Sequence, residues 1–118
     1  LSRVLLMNDS RFPWVILVPR RNEMRETIDL SQVDQLQLFG EMQSVLKAMR
    51  IAFEPDKLNL GAIGNLVPQL HIHMIARFKN DAAWPNPVWG FGHAVPYSAA
   101  DLRSSMVAIS TRLTFLSI

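Results

Sequence analysis

Apolar residues fall into four short runs and two long periodic ones. Arg3 to Met7 and Phe12 to Pro19 are β-like runs with the turn formers Asn8-Asp9-Ser10-Arg11 between them, which predicts an antiparallel hairpin. Pro13 lies near the start of the second run, where a missing N–H is tolerated. The polar stretch from Arg20 to Asp29 reads as an exit loop. Ser31 and Asp34 then form a capping pair, and Val33, Leu36, Phe39, Met42, Leu46, Met49 and Phe53 recur at spacings of three or four. This predicts one apolar stripe on a long amphipathic helix, ended by Glu54, which precedes Pro55 and is pushed out of helical geometry. Lys57 to Ile63 and Val67 to Phe78 read as two more strands, with Gly61 and Gly64 leading into the loop between them. Prolines and glycines interleaved with Trp84, Trp89 and Phe91 make the stretch from Asn80 to Tyr97 irregular. Ser98 and Asp101 cap a second helix whose apolar positions are Leu102, Met106, Ile109, Leu113 and Leu116. The order is β-β-α-β-β-loop-α. Hairpins beside helices, without repeated βαβ units, predict an α+β domain.

At 118 residues and 49% hydrophobic composition, the chain suits one packed core and one domain spanning residues 1–118. Its longest apolar runs fall far short of the roughly 18–20 residues of a membrane span, and no secretory leader opens it. The chain starts at Leu1 and enters a β-like run at once, so an N-terminal segment is expected to precede it. Cysteine is absent, which excludes disulfides, thiolate metal sites and cysteine nucleophiles and fits a cytoplasmic protein. A net charge of +2 without a lysine-rich block gives no reason to expect a nucleic-acid partner and suits an anionic small molecule equally well. Arg20, Arg21 and Arg25 cluster after the second strand, as a solvated loop or as a guide for such an anion.

Chemistry concentrates in Pro68-Gln69-Leu70-His71-Ile72-His73-Met74-Ile75-Ala76-Arg77. Strand alternation places Gln69, His71, His73 and Ile75 on one face and Leu70, Ile72 and Met74 on the other, core-facing side. Two imidazoles on one face admit three readings. They can be a pair with no role. They can be metal ligands, although Arg77 follows closely, Asp81 lies beyond the strand and His93 sits in the irregular segment. Or a neutral imidazole can attack phosphorus to form a phosphoramidate while its neighbour stabilises charge or protonates the departing oxygen. Glycines at 61 and 64 suit a backbone that comes close to a phosphate.

Gln69 to Ile75 resembles the histidine-triad (HIT) signature, His-φ-His-φ-His-φ-φ with φ apolar. Asn59 to Pro68 is similar to that family's Asn-X-Gly and Gly-Gln stretch, and Phe12 to Arg21 resembles its strand ending in Val-Ile-Pro-Lys. The resemblance implies a HIT-like α+β fold with an antiparallel sheet of about five strands, one long helix and a C-terminal helix. It implies a nucleotide hydrolase or nucleotidyl transferase acting on a dinucleoside polyphosphate or nucleoside phosphoramidate, in a homodimer. His71 falls on the nucleophile, His73 on the phosphate-contacting histidine, Asn59 on a phosphate-binding asparagine and Asn65 near a polar glutamine. Asn8 and Asp9 fall where the family touches ribose and base, although both are ordinary turn formers. The covalent step requires no cofactor or metal, and a divalent ion can accompany a polyphosphate. Gln69 stands where the first histidine belongs; glutamine cannot carry a positive charge. A nucleotide-binding module without turnover is therefore one alternative, and a metal-binding protein using His71 and His73 is the other.

Overall fold

A computed structural model describes residues 1–113 of the chain. Strands β1 (Ser2–Leu6), β2 (Trp14–Pro19), β3 (Lys57–Gly61) and β4 (Ile72–Arg77) form one antiparallel sheet in the order β1-β2-β4-β3. Among the described residues the sheet has four strands, against the expected five or so. Helix α1 (Gln32–Phe53) connects β2 to β3, and α2 (Ala99–Ser110) follows the irregular segment.

Local chemistry explains the boundaries. Ser31 Oγ accepts the Asp34 N–H and Ser98 Oγ the Asp101 N–H, so both helices start at the capping pairs read from sequence. Glu54 ends α1 in the left-handed region, at φ 49°. Strand β4 starts later than expected, at Ile72 instead of Val67. Pro68 has no N–H to give, and the Leu70 N–H bonds Met24 O outside the sheet. Pro13 lies just outside β2, yet its carbonyl extends the ladder by accepting the Ala76 N–H.

Both faces of the sheet are covered, which is why β2 reads as an unbroken apolar run. On one face Val15, Leu17, Ile72, Met74 and Ala76 pack against Leu38, Val45, Ala48 and Met49 of α1 and Ile109 of α2. On the other, Trp14 and Ile75 pack with Phe12, Ala83 and Val88, so the Pro-rich segment closes over the sheet.

The stripe expected on α1 is corrected in its first half. Val33, Leu36 and Phe39 are 74%, 71% and 60% exposed, whereas Asp34, Leu38, Glu41, Val45, Ala48 and Met49 face inward. Two of those inward positions are acids. Each has a partner that makes burial tolerable: Arg21 forks onto Asp34, and the Ser2 N–H donates to Glu41. On α2, Ile109 is buried and Met106 is half exposed; Leu113, expected on the helix, is buried just beyond its end at Ser110, and Leu116 lies outside the described residues.

Candidate functional site

The sheet register assembles the site. Ile16 on β2 and Gly61 on β3 flank His73 in one row; Trp14 and Asn59 flank Ile75 in the next. Directly paired residues point to the same side, so these side chains share the face opposite the helices. His71 precedes β4, and its ring meets that of His73 edge-on with centroids 4.8 Å apart. His71 is half-buried. His73 is 6% exposed, enclosed by Trp14 and Trp89, whose ring centroids lie 5.7 and 5.6 Å away. Gly61 is what admits Trp89, since a Cβ there would stand 3.0 Å from the indole. Trp89 thus pins the irregular segment over the site.

His71 Nδ1 lies 2.7 Å from the backbone carbonyl of Gln69. A carbonyl only accepts, so Nδ1 carries the proton and the lone pair resides on Nε2. At His73, Nδ1 is 2.9 Å from Trp14 Nε1. Burial, with His71 alongside, pushes the His73 imidazole down to about 4. His73 is therefore neutral at pH 7, not the protonated partner considered from sequence.

Asn59 is held from behind. Arg77 Nη1 donates to Asn59 Oδ1 at 2.8 Å, which leaves the Asn59 amide N–H₂ to face other partners. Arg77 is itself buried, forked onto Asp81 at 2.8 and 3.1 Å and set over the Phe12 and Trp84 rings. The Arg77 charge that argued against a metal is thus already matched, and the Asp81 carboxylate serves Arg77. Among the described residues, no three His, Asp or Glu side chains converge on one point.

The remaining predicted positions are dispersed. Gln69 precedes the strand, so alternation does not reach it; its side-chain amide turns to the carbonyls of Arg21 and Pro19, at 3.1 and 3.5 Å. Asn65 is exposed in the loop beyond Gly64, which adopts φ 65°. Asn8 Oδ1 accepts the Tyr97 N–H. Asp9 is buried; burial opposes its charge, but the Arg11 guanidinium and the N–H groups of Arg11 and Val95 hold its carboxyl below the ordinary value. These contacts tie the β1–β2 turn to the segment around Val95 and Tyr97. His93 is exposed. Sequence reading did not single out Trp14. Its only signal was β2 alternation, which puts Trp14 opposite Val15 and Leu17, and that becomes informative only once the β2–β4 register is known.

Residues 1–80 match the family model of the HIT domain. The chain belongs to the HIT family. Solved structures agree over nearly the whole domain. A histidine triad protein from Bradyrhizobium japonicum is 45% identical with a TM-score of 0.94, covering 96% of this chain and 84% of its own. One from Sinorhizobium meliloti 1021 is 43% identical with a TM-score of 0.93 over the same shares, 96% and 84%. One from Marinobacter aquaeolei VT8 is 44% identical with a TM-score of 0.94, covering 99% and 85%. No curated protein is matched. The HIT assignment extends the resemblance carried by the His71–His73 segment to the sheet and both helices. Among the described residues, no helix of this HIT protein is long and apolar enough to cross a membrane.

Proposed function

We propose that this HIT protein is a nucleotide hydrolase or nucleotidyl transferase that cleaves a nucleoside phosphate derivative through a covalent intermediate on His71. One observation carries the reading: the bond from His71 Nδ1 to the Gln69 carbonyl, which leaves Nε2 as an oriented nucleophile. Nε2 attacks the phosphorus that bears the nucleoside, the N–P bond forms, and the bond to the leaving group breaks with its electron pair. Water then attacks the same phosphorus, the N–P bond breaks, and a nucleoside monophosphate departs. Asn59, anchored by Arg77, offers its amide N–H₂ to a phosphate oxygen, and Asn65 in the loop beyond Gly64 is the second candidate phosphate contact. No metal takes part in the covalent step; a divalent ion would arrive with a polyphosphate substrate.

The Gln69 departure fits retained turnover. The contact that orients His71 comes from the backbone carbonyl at position 69, which any residue supplies. The glutamine side chain at that position donates to the Arg21 and Pro19 carbonyls.

Trapping tests the reading. The protein is incubated with diadenosine tetraphosphate or adenosine phosphoramidate and quenched without acid. Mass spectrometry should find AMP attached at His71, and His71→Ala should abolish both adduct and product while leaving the fold intact. Tight binding without adduct or product would establish the nucleotide-binding module instead. Phosphoramidate turnover that a chelator abolishes would favour the metal reading. A homodimer is part of the proposal, supported by the exposed apolar row Val33, Leu36 and Phe39 on α1, and so is a cytoplasmic location, which the absence of cysteine fits.

A further inference from the structure

Two histidines 4.8 Å apart do different work only if their protons sit on different nitrogens. His71 is set by a carbonyl. His73 is set by the opposite kind of partner: Trp14 Nε1 stands 2.9 Å from its Nδ1, and an indole N–H can donate but never accept. Nδ1 must therefore present a lone pair, and the single ring proton goes to Nε2. We infer that Trp14 is a positioning residue whose N–H fixes His73 as a neutral Nε2–H donor, so that the site favours substrates whose leaving group departs as a phosphate oxyanion over those whose leaving group must be protonated. This rests on the reading of His71 as nucleophile.

Each step follows from proton counting. With the proton on Nδ1, His73 would turn a lone pair toward the phosphate oxygens and repel them. With protons on both nitrogens, the Trp14 N–H would face another N–H, so Trp14 opposes protonation directly. Burial acts in the same direction, as does His71, the titratable group beside the ring. Trp14 and Ile16 on β2, Gly61 on β3 and the overlying Trp89 add no charge. A neutral Nε2–H stabilises developing phosphate charge but gives up its proton with difficulty. In a dinucleoside polyphosphate, the P–O bond breaks and the pair stays on a phosphate oxygen that is stable as an anion. In a phosphoramidate, the P–N bond breaks and the nitrogen must gain a proton, which a neutral Nε2–H, unlike an imidazolium, does not readily give up.

The test begins with the whole chain labelled with ¹⁵N at histidine and free of substrate. Long-range proton–nitrogen spectra, with His73→Gln for assignment, should place the His73 proton on Nε2 and keep the ring neutral down to about pH 5. Trp14→Phe keeps the aromatic packing and deletes the donor. It should spread the proton over both nitrogens and raise the titration midpoint by about one pH unit, the shift that one neutral hydrogen bond commands. In turnover, the wild type should prefer diadenosine tetraphosphate to adenosine phosphoramidate. Trp14→Phe should lose about tenfold in kcat on the tetraphosphate, with KM little changed. A wild-type proton on Nδ1 overturns the inference even if the variant fails to fold. So does a Trp14→Phe spectrum identical to wild type, or a wild-type preference for the phosphoramidate. Spectra as expected with no His71 adduct on either substrate would overturn the nucleotidyl-transfer reading while leaving the Trp14 assignment standing.

Discussion

Removing the Asp81 carboxylate should be among the most damaging single changes in this domain, because of what it strands. The Arg77 and Asp81 side chains are only 2% and 4% exposed. Asp81 accepts from Arg77 Nε and Nη2 and from the backbone N–H groups of Phe78, Ala83 and Trp84. Burial alone would raise its pKa; these donors outweigh burial and hold the carboxyl at about 2, below the ordinary 3.8. A folded-state pKa below the unfolded value means that the unfolded chain takes the proton first as the solution is acidified. The associated stability is thus complete above about pH 4 and is lost as pH falls toward 2, amounting to about 2 kcal/mol. Asp81→Ala removes more than that charge. It leaves a buried guanidinium with the Asn59 oxygen as its neutral partner and orphans three backbone N–H groups. Breaking a buried pair in this way costs about 3–5 kcal/mol, or roughly 10–20 °C in Tm for a domain of this size. Arg77→Met should cost less, since Asp81 then keeps its backbone donors and the Met stem fills most of the space. Differential scanning calorimetry at pH 7 checks both variants. If Asp81→Ala lowers Tm by less than about 4 °C, or if Arg77→Met is the worse of the two, the argument fails.

Three further outcomes follow from the same geometry. The His73 ring titrates at about 4 in the folded protein against 6.5 for the free side chain, so the unfolded state gains its proton first. Stability from this group is full above pH 6.5 and is lost as pH falls through about 4; His73→Gln should flatten thermal melts across that window by up to about 3 kcal/mol. Gly61→Ala should displace Trp89, whose indole an added Cβ would meet at 3.0 Å, costing about 1–3 kcal/mol and shifting tryptophan fluorescence; an unchanged spectrum and melt would count against the aromatic cover. Leu36→Glu, on the exposed row of α1, should convert a dimer to monomer in sedimentation at fixed concentration with the monomer fold retained, whereas a wild type that sediments as a monomer ends the dimer proposal.

Much of the fold was legible because local signals were strong. Ser31 with Asp34, Ser98 with Asp101, and Glu54 before Pro55 each specify a helix end through one or two atoms. Alternation from Leu70 to Ala76 specified which face of β4 meets the helices. The first half of α1 was read in the wrong phase because Asp34 and Glu41 count as polar in any pattern. Their burial depends on Arg21 and the Ser2 N–H, partners distant in sequence. Within the site, His71 and His73 were identifiable from residue types in a pattern, and Asn59 only through the resemblance to the HIT family. Their supports were not, because Trp14 reaches His73 across 59 positions and Arg77 reaches Asn59 across 18. Such contacts exist only once strand register is fixed.

The two faces of the sheet also explain how this HIT protein holds the His71–His73 arrangement with a glutamine at position 69. On the helix face, Leu70, Ile72 and Met74 lock the backbone of the His71–His73 segment into one packed core. That packing fixes where the Gln69 carbonyl points, and the carbonyl fixes the His71 tautomer. On the opposite face, Trp14 sets His73, and Arg77 sets Asn59. The orientation of each chemical group thus depends on backbone placement or on a buried side chain outside the signature. The side chain at position 69 is the one member whose contacts, to Arg21 and Pro19, lie away from the His71–His73 pair. Variation is therefore cheapest at that position, and substitutions at Trp14 or Arg77, which the signature does not include, should disturb the site more than substitutions at Gln69.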